Sequence, residues 1–281
     1  MAIELPEALI LTEQMDRELT GKSIASAEMT EACDSLRSQG FVNVPAQEFV
    51  DAVTGRTIAG VVSAGKCIYV RLEGGSTVAL SLETSGRILF HPADAPPTER
   101  YNVRLNFADG SCLTVRIIGW GFAQLHTDES LHGHRFLDPD KQGPSPLDAE
   151  QFTLEHFCGV LDALDGKLIK HILTRQHHIG GLANGLVQEI LFKTRIHPKR
   201  KARDIPPDER ARLYQVITDT VREVHRLGGR DSEVDLYGHP GRYHVAMGGH
   251  LKNKPCPECG TMIEGQHILG SRSYVCSACQ T

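Results

Sequence analysis

The chain has 281 residues, 40% hydrophobic and 23% charged, a composition that fits one or two globular domains with a buried core. No eighteen consecutive residues are apolar, and the opening Met1-Ala2-Ile3-Glu4 has no basic region ahead of an apolar one, so neither a membrane span nor a secretory signal is indicated and a soluble, cytoplasmic protein is expected. The net charge of −5 hides an asymmetry: residues 1–160 carry −10 and residues 161–281 carry +5, which suits a phosphate-bearing partner at the C-terminal half but equally a solvated basic surface.

Residues 6–20 begin with Pro6 and Glu7, place apolar side chains at 8, 9, 10 and 15, and stop before Gly21, which predicts one helix. From about 22 to 126 the chain turns to short β-prone runs, among them Lys66–Leu72, Ser76–Leu82, Asn102–Phe107 and Cys112–Ile118. Gly74-Gly75 and Asp109-Gly110 between them are hairpin signals, so an antiparallel sandwich or barrel is expected. Residues 127–148 are polar and rich in His, Asp, Gly and Pro, the composition of a linker. Helical patterns follow near 148–161, 166–176, 183–194 and 207–228. The stretch 229–250 has little periodicity and reads as either a functional loop or disorder.

Within the helical part, His178–Glu189 crowds Gly180, Gly181 and Gly185 around Asn184. Such a turn lets backbone N–H groups and an amide approach a phosphate, or it is a plain helix–helix turn with a capping Asn. Lys170 by itself is an ordinary surface lysine, and His197–Arg203 is a basic run of the kind that is usually solvated.

The last thirty residues carry two C-x2-C pairs, Cys256/Cys259 and Cys276/Cys279, sixteen residues apart. Four thiolates in two tight turns close a tetrahedral zinc site with no open position, so the metal is expected to be structural. Two disulfides are the alternative, but Cys33, Cys67, Cys112 and Cys158 are scattered singly and show no framework. The residues between the pairs suggest a β-hairpin that presents Arg272 near its tip.

The order of these parts resembles the formamidopyrimidine-DNA glycosylase / endonuclease VIII family over nearly the whole chain. The resemblance rests on Glu4-Leu5-Pro6-Glu7, on Lys66 and Ser85-Gly86-Arg87, on the Gly-x-x-Asn-x-x-x-x-Glu of residues 181–189, on Ile196-His197-Pro198, and on the four-Cys hairpin ending in Gln280. It implies an α+β chain: an N-terminal helix and β-sandwich (1–133), a linker (134–148), a helix–two-turns–helix DNA-binding domain (149–250) and a zinc hairpin (251–281), clamping damaged DNA as a monomer. It further implies that Lys66, Lys170 and Asn184 contact phosphates, that Glu4 is the acid beside the nucleophile, and that the nucleophile is an N-terminal proline amine that attacks C1′ of a flipped nucleotide and forms a Schiff base.

This chain departs from that pattern where the chemistry is done. Ile3 stands in the proline's place, and if Met1 is removed the free amine belongs to Ala2, up to roughly 3.5 Å of chain further out. Thr84 stands where the family has a gap-filling Met. Ile117–Phe122 replaces the intercalating loop, with Trp120 either a stacking wedge or a core residue. Arg272 lies one place beyond the family's hairpin arginine, and Glu83 brings a carboxylate toward the phosphates. The expectation is a base-excision repair DNA glycosylase with AP-lyase chemistry from Ala2, Glu4 acting as acid/base, and Lys66, Lys170, Asn184 and Arg272 on the backbone. The alternative is a damaged-DNA binder without Schiff-base chemistry, either a sensor or a monofunctional glycosylase. A zinc-stapled module unrelated to nucleic acid is a third reading. The missing wedge residues suggest single-stranded or bulky-adduct substrates.

Overall fold

The computed structural model describes every residue except Met1, Ala2, Thr84 and Thr98, so the readings of Ala2 and Thr84 lie outside the described residues. The first helix, α1 (Leu5–Leu19), starts as expected with Pro6 in its first turn, and the Glu4 backbone N–H donates to Glu7 Oε2 at 3.1 Å. Its apolar side chains Ala8, Leu11, Met15 and Leu19 are all buried. After it come β1 (Ile24–Met29) and two helices, α2 (Ala32–Ser38) and α3 (Ala46–Val53). These helices correct the all-β reading of 22–126. Pro45 opens α3, and Phe49, Val50 and Val53 share one face that packs on the core, a helical spacing too brief to stand out beside the β runs.

Seven strands complete the first domain: β2 (Ile58–Ala64), β3 (Cys67–Leu72), β4 (Ser76–Leu82), β5 (Arg87–His91), β6 (Val103–Phe107), β7 (Cys112–Arg116) and β8 (Gly121–Thr127). They form two four-stranded antiparallel sheets, ordered β1-β6-β7-β5 and β2-β3-β4-β8. The arrangement is a sandwich rather than a closed barrel. Inward residues alternate cleanly in β6, where Val103, Leu105 and Phe107 are buried, and α1 covers the same core. The outer edge of β8 is protected by the segment before α3: Ala123 N–H donates to Phe41 O, and the Gln124 amide to Gly40 O.

The polar stretch after β8 begins with a one-turn helix, α4 (Asp128–Leu131), and then lies against the sandwich. Leu131 and Leu137 are buried beside Cys67, Tyr69 and Ala79, and the Tyr69 hydroxyl donates to Leu137 O at 2.9 Å. Four helices follow, α5 (Leu154–Ala163), α6 (Ile169–Leu173), α7 (Asn184–Lys193) and α8 (Pro207–Arg226). They enclose a second core, to which Leu5 of α1 belongs. No helix among the described residues is long and apolar enough to cross a membrane.

The irregular 229–250 stretch is packed, not disordered: Arg230, Leu236 and Met247 are buried, and Leu236 joins the sandwich core. Glu189 of α7 pins its far end by accepting from the Tyr243 hydroxyl and from the N–H groups of Ala246 and Met247. The chain ends in the antiparallel hairpin β9 (Glu264–Ile268) and β10 (Ser271–Val275), turned by Leu269 and Gly270, both at positive φ.

Candidate functional site

The two domains meet around the first residues of the chain. Ile3 N–H donates to Leu82 O at the end of β4, and Leu5 N–H donates to Gly181 O in the turn before α7. Between them the Glu4 side chain, fully buried, caps the N-terminus of α7: it accepts from the N–H groups of Ala183 at 2.6 Å, Gly185 at 2.9 Å and Leu186 at 3.1 Å. A helix N-terminus with free N–H groups is where a carboxylate is held best. The glycines of this turn serve that approach. A Cβ on Gly181 would lie 2.4 Å from Leu5 Cβ, and one on Gly185 would lie 2.6 Å from Glu4 Oε1 and 2.3 Å from Arg230 Nη1.

Arg230 completes the cluster. Its guanidinium is wholly buried and bidentate on Glu7, with Nε to Oε1 at 2.8 Å and Nη2 to Oε2 at 2.9 Å, while Nη1 donates to Glu4 Oε1 at 3.0 Å. Burial raises the Glu4 carboxyl above its usual range, an effect that Arg230 opposes. Burial presses on the Arg230 charge too, but Glu7 and Glu4 more than restore it and the guanidinium stays protonated. Sequence reasoning missed Arg230 altogether and used Glu7 only as a helix-start signal and as the last residue of the Glu-Leu-Pro-Glu run. The only local hint was a charged residue directly after Gly228-Gly229 in a stretch without periodicity.

Lys66 sits in the β2–β3 turn and pairs with Glu83, which follows β4. The carboxylate that looked unfavourable for phosphate binding is thus the partner of the lysine. Both line a cavity of about 770 Å³ that opens between the sandwich and the Arg175–His177 turn of the helical domain, with Trp120 and Phe136 at its sandwich side. Trp120 is 65% exposed, so it is no core residue.

The structure brings Lys170, Asn184 and Arg272 together, but around the hairpin. Lys170 is 2% exposed, and its ammonium donates to Ile268 O at 2.9 Å, Ser271 Oγ at 2.8 Å and Ser273 Oγ at 2.6 Å. Desolvation lowers its pKa to about 8. The Asn184 amide donates to Arg272 O at 2.9 Å and accepts from Ser271 Oγ at 3.3 Å. Ser271 and Ser273 therefore face the helices, whereas Arg272 points to the other face of β10, exposed and near His267.

The four hairpin cysteines converge as their spacing predicts, with all Sγ atoms within 4.8 Å of one another. Cys259 and Cys276 lie 3.4 Å apart and Cys256 and Cys279 3.9 Å, too far for disulfides and close to the roughly 3.8 Å edge of a tetrahedron with 2.3 Å zinc–sulfur bonds. The donor set therefore fits a metal. Cys256 and Cys276 also pack with Ile263 against Phe192 of α7 and Met247, so the cysteine cluster and the helical domain share a small core.

Known proteins share this arrangement. Residues 2–116 match the formamidopyrimidine-DNA glycosylase N-terminal domain, and residues 142–235 the formamidopyrimidine-DNA glycosylase H2TH domain. The chain is 30% identical over 290 residues to a formamidopyrimidine-DNA glycosylase of Roseiflexus sp. (strain RS-1), with 99% of each covered. It is 29% identical over 285 residues to that of Bacillus subtilis (strain 168), with the same coverage. The fold superposes at a TM-score of 0.82, over 99% of both chains and at 24% identity, on the Lactococcus lactis Fpg (MutM) solved with DNA containing N7-benzyl-Fapy-dG. With both domains matched and a 30% identical relative aligned from end to end, the chain belongs to the formamidopyrimidine-DNA glycosylase family.

Proposed function

We propose that the chain is a DNA glycosylase of base-excision repair that binds damaged DNA in the cleft between its sandwich and helical domains, as a cytoplasmic monomer. The damaged nucleotide is turned out of the stack, and the α-amine of Ala2, freed when Met1 is removed, attacks C1′. The C1′–N bond breaks as the base leaves with the proton that the amine sheds, and the sugar opens to a cationic Schiff base as O4′ takes a proton from solvent; water then removes a C2′ proton, which expels the 3′ phosphate and cuts the strand. The observation that carries this reading is the clamping of Ile3 between Leu82 and the Glu4 anchor, which fixes the residue next to Ala2 from both domains.

In this reading Glu4 works from where it is held. With both oxygens occupied, its charge favours the cationic Schiff base more readily than it moves protons. Lys66 supplies a second amine and a phosphate contact once DNA competes with Glu83. Arg272 reaches the backbone from a hairpin that Zn²⁺ holds through Cys256, Cys259, Cys276 and Cys279, while Lys170 and Asn184 brace that hairpin and come to the phosphates only as it shifts onto DNA. One observation favours a second reading, in which damaged DNA is bound without covalent chemistry: Ile3 fills the family's proline position and is packed into the sandwich core.

Borohydride trapping on an oligonucleotide with one abasic site, using protein with a native N-terminus, separates the two. The expected result is a cross-link that peptide mapping places on Ala2. A cross-link on Lys66 moves the nucleophile into the sandwich, and tight binding with no cross-link leaves only the non-covalent reading.

A further inference from the structure

Among the described residues, the two most exposed large apolar side chains are Trp120 at 65% and Phe136 at 54%, and both line the same cavity. They come from separate segments, the β7–β8 turn and the stretch after α4, yet they rest on one backing of rings. Trp120 lies 5.1 Å from Phe41, Phe41 6.1 Å from Phe122, and Phe122 stacks on Phe136 at 6.1 Å with planes 21° apart. Phe41 is buried and its carbonyl accepts from Ala123 N–H, so the backing is fixed to β8; the Trp120 carbonyl accepts from Glu83 N–H.

Such a surface is costly to leave in water without a ligand. Its surroundings are cationic: Lys66, Arg135, Lys141 and Arg175 line the cavity against Glu83 and Asp140, and the Arg135 guanidinium lies 5.0 Å from the Phe136 ring centre. A basic groove with exposed aromatic faces matches the chemistry of unpaired nucleotides, whose bases present π-faces while their phosphates follow the cations. Paired bases keep those faces inside the stack. A single wedge pushed into a duplex needs one side chain; two exposed rings on a common backing of a buried Phe41 and a half-buried Phe122 make a platform.

We propose that Trp120 and Phe136 form a stacking platform for unpaired bases, so that this protein takes its lesion from single-stranded or locally unpaired DNA. This rests on the reading of the cleft as a DNA site. Trp120 is the only tryptophan in the chain, so its emission reports this surface alone. The test follows that emission, together with the anisotropy of labelled DNA, for a fully paired duplex, the same duplex with an internal unpaired stretch, and the single strand, at low salt. Binding of the unpaired probes is expected to quench Trp120, and both Trp120→Ala and Phe136→Ala to weaken it about tenfold or more, with little change on the paired duplex. Trp120→Phe is expected to retain most of the affinity. Equal binding of wild type and both alanine variants to every probe overturns the platform while leaving the cleft a DNA site. So does a change in the sedimentation of the free protein on either substitution, which would make the patch a self-association surface. A wild type that binds none of the probes overturns the DNA reading itself.

Discussion

Arg230 joins the stretch after α8 to the beginning of the chain. Two carboxylates, Glu4 and Glu7, are buried against its single guanidinium. Replacing it with Met removes the cation and leaves both acids desolvated without it, a loss expected to cost roughly 3–5 kcal/mol in denaturant unfolding. Arg230→Lys is expected to recover only part, because an ammonium cannot be bidentate on Glu7 while reaching Glu4. A loss under about 1 kcal/mol would mean that the acids protonate or find water at little cost. Legibility divides sharply at this scale. The four hairpin cysteines were evident because two ligands of a metal turn sit three positions apart, and Glu4 because it stands in the Glu-Leu-Pro-Glu run that carries the family resemblance. Arg230 was invisible because its partners lie 223 and 226 positions away. Lys170 looked like a surface residue because nothing near it in sequence shows that two serines a hundred positions on will accept its hydrogen bonds.

Among the elements, the four-cysteine hairpin owes its seat to α6 and α7. Lys170 reaches three acceptors on it, Asn184 and Gln188 hold the β10 backbone, and Phe192 packs on Cys256 and Cys276. The Lys170 pKa, near 8 in the folded protein, lies below its ordinary 10.5, so between those values the unfolded chain binds more protons and stability rises with pH. Below about 8 the buried charge is a constant cost, offset by its three hydrogen bonds. Unfolding measured from pH 7 to 10.5 is expected to show wild type gaining on Lys170→Met above pH 8, by on the order of 1 kcal/mol per unit. A constant gap would mean that the ammonium is as well solvated as in water. The elements themselves were largely legible, since long runs with period 2 or 3.6 declare their type. Helices α2 and α3 escaped because two short amphipathic turns inside a β-rich region carry too little periodicity to be distinguished.

At the level of the whole molecule, the two cores are stitched rather than merely adjacent. Helix α1 gives Leu5 to the helical core and most of its apolar face to the sandwich, and the 229–250 stretch returns Leu236 to the sandwich and Arg230 to α1. A fragment beginning at residue 149 would therefore bury Arg230 without Glu4 or Glu7. It is expected to be expanded or aggregated, with unfolding below that of the intact chain by circular dichroism, whereas the intact chain, its two cores joined through α1 and Arg230, is expected to unfold in one transition. A fragment as cooperative as the whole would show that the domains stand alone.

The Arg230 cluster also sets a schedule. Glu4 leaves the ribosome early, but its cation is made 226 residues later, an interval on the order of ten seconds to a minute at about 5–20 residues per second. A nascent chain can assemble the sandwich in that time. It cannot yet anchor Glu4. Glu4 gains its full set of partners only after α7 and Arg230 have emerged, so the carboxylate that ties the sandwich to the helical domain is seated last, and a prematurely terminated chain would carry the strands with that carboxylate unanchored.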